Sequence, residues 1–79
     1  MLLLVSQSVA EEKIIKQEAM TFEKCLEVIT TSENKLSIVP ELTEVSDQRR
    51  VAVFKLLDGK LIITCSKVTG EVIVSTSVN

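Results

Sequence analysis

The chain has 79 residues, 46% of them hydrophobic and 25% charged, with a formal net charge of −2. This length and hydrophobic content exclude intrinsic disorder and indicate a single small domain with a thin core, spanning residues 1–79. Charges of both signs are interspersed and the aromatic residues are Phe22 and Phe54. That pattern argues against nucleic-acid binding, which usually requires a basic patch and stacking aromatics.

The first ten residues allow two interpretations. Met1 to Val5 is apolar, which suits a short β-strand over residues 1–7 and is too short to span a membrane. Ser8-Val9-Ala10 resembles the small-residue site at which a leader is cleaved, although the basic region and long apolar core of a secretory signal are absent. Residues 1–10 are therefore either a strand of the domain or a vestigial leader.

One or two helical segments are predicted next. Residues 8–11 match a capping box, which predicts a helix that starts at Val9. Its apolar stripe would consist of Ala10, Ile14 and Met20. From residue 21 a clearer helical face follows, either as a second segment or as a continuation, with apolar residues at i, i+3, i+4 and i+7. These residues are Phe22, Cys25, Leu26 and Ile29. Poor helix formers over residues 30–34 are expected to end the helix.

The rest of the chain is predicted to form an antiparallel meander. Pro40 removes a hydrogen-bond donor from the stretch 36–45, which indicates an edge strand or a bulged one. Further strands are expected over residues 49–57, 60–68 and 71–78. Asp58-Gly59 predicts a tight type I′ turn, in which both central residues have positive φ. The predicted fold is α+β, with the helical segments packed on a three- to four-stranded antiparallel β-meander.

Alternation along these strands separates two faces. The helix side is expected to hold Phe54, Leu56, Leu61, Ile63, Cys65, Val72 and Val74. The other side mixes residues suited to water with apolar ones. The water-suited residues are Thr64, Ser66, Ser75 and Ser77, and the apolar residues are Val51, Val53, Leu57, Ile62 and Ile73. A short helix covers one face of a sheet, so we expect this apolar set to be an interaction surface. The alternative is that the N-terminal segment folds over it.

Arg49 and Arg50 are the adjacent basic pair, and on a strand they point to opposite faces. They either solubilise the sheet edge or anchor an acidic partner. We include both in the predicted interaction surface.

Catalytic and metal-binding equipment is missing from the sequence. There is no histidine and the glycines are Gly59 and Gly70, so the commonest general base and a phosphate-binding Gly-rich loop are both absent. We expect neither an enzyme nor a bound metal or cofactor. Cys25 and Cys65 are too few for a zinc site and are expected to be buried free thiols. A disulfide between them is the alternative and depends on an oxidising compartment.

Three segments carry a family resemblance. The segment Thr21 to Leu26 is similar to an opening helix. The segment Arg50 to Lys55 is similar to a strand of alternating apolar residues. The segment Lys67 to Val72 is similar to a closing Thr-Gly-Glu-Val turn. Together residues 21–74 resemble the PepSY domain family, which is similar to the repeat unit of bacterial β-lactamase-inhibitor proteins. The chain departs from the family at Ser66, near which an aspartate is usual, and at Phe54, near which a tyrosine is usual. The resemblance implies a non-catalytic, usually extracytoplasmic module that binds or inhibits another protein, often a protease.

Two functional hypotheses follow. The first is an exported protein-binding or inhibitory module that acts through its sheet face, with a native N-terminus near Glu11. The second is a small cytoplasmic regulatory or accessory protein, such as phages and plasmids encode, that works as a homo-oligomer or an assembly subunit. In both, the partner is another protein or a second copy, with homo-oligomerisation expected. The compartment is extracytoplasmic if the resemblance holds and cytoplasmic otherwise.

Overall fold

The computed structural model describes residues 12–78, so residues 1–11 and 79 lie outside the account that follows. The described residues form one helix and five strands. In chain order these are β1 (Glu12–Ala19), α1 (Phe22–Leu36), β2 (Glu41–Val45), β3 (Arg49–Leu56), β4 (Gly59–Ser66) and β5 (Glu71–Val78). All five strands join one antiparallel sheet in the order β1-β5-β4-β3-β2.

The predicted α+β class and antiparallel sheet are confirmed, with two differences in the count of elements. Within residues 12–78 there is one helix, and the sheet has five strands rather than three or four. The extra strand is β1, which pairs with the last strand, β5. The predicted strand or leader over residues 1–10 lies outside the described residues.

The helix predicted from Val9 is wrong from residue 12 onward, because residues 12–19 form β1. Between Glu12 and Ala19 the large apolar side chains are Ile14 and Ile15, which are adjacent and cannot form a helical stripe several turns long. A strand here gains backbone hydrogen bonds from the free edge of β5, and that gain outweighs the helix propensity of Glu, Lys, Gln and Ala.

The second predicted helix is confirmed and runs further than expected. Thr21 caps it, since its side-chain oxygen accepts a hydrogen bond from the backbone N–H of Lys24 at 3.2 Å. The poor helix formers do not end it, and the helix continues through residues 30–34, where the Thr30 hydroxyl donates to the carbonyl of Leu26. The helix ends at Leu36, and Ser37 follows in the left-handed conformation with φ 57.

The β3–β4 hairpin differs from the predicted type I′ turn. Leu56 pairs with Gly59, so the turn residues are Leu57 and Asp58, and none of Leu57, Asp58 and Gly59 has positive φ. Glycine is required at position 59 for another reason. A Cβ on Gly59 would collide with the backbone carbonyl oxygen of Ser77 on β5. The glycine therefore permits close contact between neighbouring strands rather than an unusual turn.

The core lies between α1 and one face of the sheet. Its buried hydrophobic residues are Cys25, Ile29, Ala52, Phe54, Ile63, Cys65 and Val72. Of the predicted core residues, Leu61 and Val74 pack against this cluster and Leu56 is exposed at the end of its strand. The helix contributes the buried residues Cys25 and Ile29, and its Phe22, Leu26 and Val28 are partly buried against the same cluster.

A disulfide joins the helix to the sheet across this core. Cys25 on α1 and Cys65 on β4 are bonded, with their Cα atoms 5.7 Å apart. Both cysteines are buried, as predicted, but the prediction of free thiols is wrong. The sequence could not decide this, because the pairing requires the helix face and the β4 face to meet at these two positions.

Breaking the disulfide should destabilise the domain strongly. The bond closes a loop with a sequence separation of 40, and we expect its loss in the Cys25→Ala, Cys65→Ala double variant to lower the free energy of unfolding by about 3–4 kcal/mol. Urea denaturation with and without a reductant measures this. The double variant is the control, since the reductant should leave its midpoint unchanged. Equal midpoints for the wild-type protein in the two conditions would contradict the prediction.

The two glycines should respond differently to substitution. Gly59→Ala places a Cβ against the backbone of β5 and should cost about 2–3 kcal/mol, because a backbone atom cannot move aside cheaply. Gly70 has φ 67 and open space around it, so Gly70→Asn should cost below about 1 kcal/mol, since asparagine tolerates this conformation. Thermal unfolding of the two variants tests the order, and a larger loss of stability in Gly70→Asn than in Gly59→Ala would contradict the prediction.

Candidate protein-binding face

The face of the sheet opposite α1, here called the outer face, carries two adjacent cross-strand rows that contain its apolar residues. The strand registers give one row as Ile14, Ser75, Ile62, Val53 and Glu41. The second row is Gln17, Ile73, Thr64, Val51 and Glu44. Residues directly opposite each other on neighbouring strands share a face, so the apolar side chains of both rows lie side by side. Of the described elements, α1 is the one that does not belong to the sheet, and it packs on the face opposite the outer face.

Four of the five predicted apolar residues come together on this face. Val51, Val53, Ile62 and Ile73 occupy β3, β4 and β5 and are each partly buried by their neighbours. We call these four residues the outer patch. Leu57 does not join them, because it lies in the β3–β4 turn and is fully exposed.

Ser75 occupies the centre of the outer face and is 1% exposed. It was expected to face water, but its neighbours across the strands are Ile14 and Ile62, which are longer and shield it. Its hydroxyl donates to a carboxylate oxygen of Glu12 at 2.6 Å, which satisfies this buried polar group. The outer face therefore has a buried centre although no other described element covers it.

Charged and polar residues surround the outer patch. The β2 edge carries Glu41 and Glu44, whose carboxylate oxygens lie 3.8 Å from Lys55 Nζ and 3.5 Å from Arg49 Nε. Near the β1 edge, Gln17 donates to Glu71 at 3.1 Å. These pairs are exposed and each contributes only about 0–1 kcal/mol. An apolar centre with a polar rim of this kind is the usual anatomy of a protein interface.

The two arginines lie on opposite faces, as their alternation predicted. Arg49 is on the outer face in the row of Ser66 and Glu71, at the edge of the outer patch. Arg50 is opposite Cys65 and Val45, on the helix side. The predicted interaction set is therefore divided, with Arg50 separated from the outer patch by the thickness of the sheet.

Sequence reasoning missed the contribution of β1 to this face. Ile14 extends the first row and is 55% exposed, but residues 12–19 were expected to be helical and could not be placed in the sheet. The segment carried no clear signal, since the adjacent pair Ile14-Ile15 matches neither the alternation of a strand nor a helical stripe.

Both edges of the described sheet carry features that discourage pairing with a further strand. β1 contains a bulge between Ile14 and Lys16, and β2 contains one between Leu42 and Glu44. Charged side chains are spread along both strands, and Pro40 immediately precedes β2. Bulges, charges and proline are the devices by which natural sheets avoid edge-to-edge association. A partner is therefore more readily accommodated on the outer face than on an edge.

Comparisons with family models, curated proteins and solved structures gave no match. Over residues 12–78, no cluster of three or more cysteine, aspartate or glutamate side chains is arranged to hold a metal ion. The helix within that range is too short and too polar to cross a membrane.

Proposed function

We propose that this chain is a non-catalytic protein-binding module that acts through the outer face of its sheet. The observation that carries the proposal is the outer patch, where Val51, Val53, Ile62 and Ile73 share one face and occupy neighbouring rows of three adjacent strands. A small protein that leaves such a surface open, surrounded by polar groups, usually does so for a partner. Inhibition of the bound protein, which the PepSY resemblance implies, is part of the same proposal.

A second copy of the chain is the simplest partner. A two-fold interface requires one self-complementary surface, so a single sequence supplies both sides. Strands spaced about 4.8 Å apart and about 26 Å long give an outer face of about 500–600 Å². Standard interfaces bury about 800 Å² per partner, so we expect a complex of moderate stability whose dissociation can be observed by dilution.

The disulfide supports an extracytoplasmic location. Disulfides such as Cys25–Cys65 persist in oxidising compartments and are rare in the cytosol, where thiols are kept reduced. The first described strand begins at Glu12, so cleavage after Ala10 would leave every described element intact. A cytoplasmic regulatory or accessory protein remains the alternative function, and its cysteines would be reduced.

Charge introduced into the outer patch should abolish self-association. At increasing concentration, the wild-type protein should approach twice the 8.7 kDa chain mass in sedimentation velocity. Ile62→Lys should remain monomeric with an unchanged circular dichroism spectrum, because a lysine at the centre of an apolar interface must be desolvated. Leu57→Lys is the matched control, since Leu57 is fully exposed in the turn and its variant should dimerise normally.

Two outcomes would count against the second copy as partner. If the wild-type protein is monomeric at high concentration, the hypothesis of self-association is wrong. Unfolding of Ile62→Lys would indicate that the outer patch is core, and deletion of residues 1–7 then tests whether the N-terminal segment stabilises it. A deletion variant with unchanged thermal stability would exclude that explanation.

The compartment is tested on protein isolated from its native host. Export predicts a mature chain that begins at Glu11, because Ser8-Val9-Ala10 resembles a cleavage site. It also predicts that Cys25 and Cys65 are bonded and become alkylated only after reduction. Intact mass spectrometry with and without reductant measures both properties. Protein that retains Met1 and is alkylated at both cysteines without reduction would instead support the cytoplasmic alternative.

A further inference from the structure

The strand β1 is attached to the rest of the described fold mainly through the edge of β5. All eight of its residues are exposed, and β5 is the one described element with which it makes extensive contact. Two side-chain hydrogen bonds reinforce the backbone pairing, since Ser75 donates to Glu12 at 2.6 Å and Gln17 donates to Glu71 at 3.1 Å. No residue of β1 belongs to the core cluster, so release of β1 leaves the contact between α1 and the sheet in place.

The edge of β5 that β1 covers lacks the protective features of β1 itself. Residues 72–78 contain no charged side chain, no proline and no glycine, and they are rich in valine, isoleucine and threonine. The pairing of β5 with β4 is free of bulges, so β5 is a regular strand. An exposed strand with these properties readily accepts another strand on its unpaired backbone groups. β5 therefore requires a covering strand, which β1 supplies.

A short connection joins β1 to α1. It consists of Met20 and Thr21, and the backbone N–H of Met20 donates to the carbonyl of Gly70 at 2.9 Å. The other edge strand, β2, is held between α1 and β3, so its release requires movement of two connections within the described fold. β1 is released by a change at Met20 and Thr21 alone. Short connections of this kind favour the exchange of an element between copies of a chain.

We propose that β1 is an exchangeable strand, and that the edge of β5 binds β1 of a second copy in place of its own. The exchanged pair regains the same backbone pairing and the same bonds of Glu12 to Ser75 and of Gln17 to Glu71. Its cost is therefore limited to the rearranged connection and to the association of two chains. This dimer uses a strand edge and does not depend on the outer patch.

The route to the exchanged dimer follows from the same pairing. Two folded monomers exchange strands only when both have released β1 at the same moment, which makes the exchange slow. Chains that refold together at high concentration have β1 free from the start, and they pair it in either copy. We therefore expect Ile62→Lys, which cannot associate through the outer patch, to remain monomeric when refolded at low concentration. The same variant refolded at high concentration should give dimers that persist after dilution.

A cross-link between β1 of one copy and β5 of another identifies the exchanged pair. Lys13 lies opposite Thr76, and Thr76 lies opposite Leu61 on the helix side, away from the outer face. Full-length Lys13→Cys and ¹⁵N-labelled Thr76→Cys, both with Ile62→Lys, are refolded together from urea at acidic pH, where un-ionised thiols spare the native disulfide. They are then oxidised and analysed by non-reducing mass spectrometry, with peptide mapping of the bond.

The control replaces Thr76→Cys with Lys24→Cys, because Lys24 is exposed on α1 and is not paired with β1. Strand exchange holds the cysteines at positions 13 and 76 together, so their heterodimer should exceed the control by about tenfold or more. A yield equal to that of the control at the highest refolding concentration would overturn the proposal.

Hydrogen exchange of the wild-type chain provides a test that needs no variant. Local release of β1 predicts that its paired amides exchange about tenfold or more faster than the amides that join β3 to β4. Equal protection of the two sets would mean that β1 separates only when the whole domain unfolds, and the proposal would then be wrong.

Discussion

A disulfide at the centre of the contact between helix and sheet ties α1 to the sheet. The helix buries Cys25 and Ile29, and Cys25 is bonded to Cys65 on β4. Domains of this size bury too little surface to tolerate the loss of a major contact, and many use disulfides to compensate. The bond also fixes which face of the sheet the helix covers, and therefore which face remains open.

The two faces of the sheet consequently have different properties. The helix side contains the core and, toward β2, a cavity of about 260 Å³ whose lining includes Leu26, Pro40 and Arg50. The outer face has a partly buried apolar centre and a charged rim. Because side chains alternate along each strand, neighbouring residues such as Arg49 and Arg50 serve different surfaces.

The parts of the fold that the sequence predicts are those with strong local signals. The apolar residues of α1 from Phe22 onward have helical spacing, and β3, β4 and β5 have alternating or β-branched residues. The helix, these three strands and the residues of the outer patch were therefore predictable. β1 was not, because its strand conformation depends on pairing with β5, which is distant in sequence. The need for glycine at position 59 was likewise not predictable, since it comes from the close contact with Ser77 on β5 rather than from the turn beside it.

The candidate site was predicted in part for the same reason. Val51, Val53, Ile62 and Ile73 follow from alternation within three consecutive strands. Ile14 and the burial of Ser75 depend on β1, and the cavity at Arg50 depends on how the segment after α1 folds back toward β2. Surfaces built by one contiguous segment can be deduced from its pattern, whereas surfaces built by distant segments require the tertiary structure.

The pairing of β1 with β5 has a consequence for the synthesis of the protein. Glu12 lies opposite Ser77, so the first described strand meets the last one. The N-terminus leaves the ribosome first, and β1 therefore has no partner among the described strands until residues 71–78 have emerged. The local hairpins β2–β3 and β3–β4 can form earlier, since contacts between neighbouring segments close short loops at low entropic cost. A nascent chain that stops before residue 71 contains both cysteines but lacks β5, the strand with which β1 pairs.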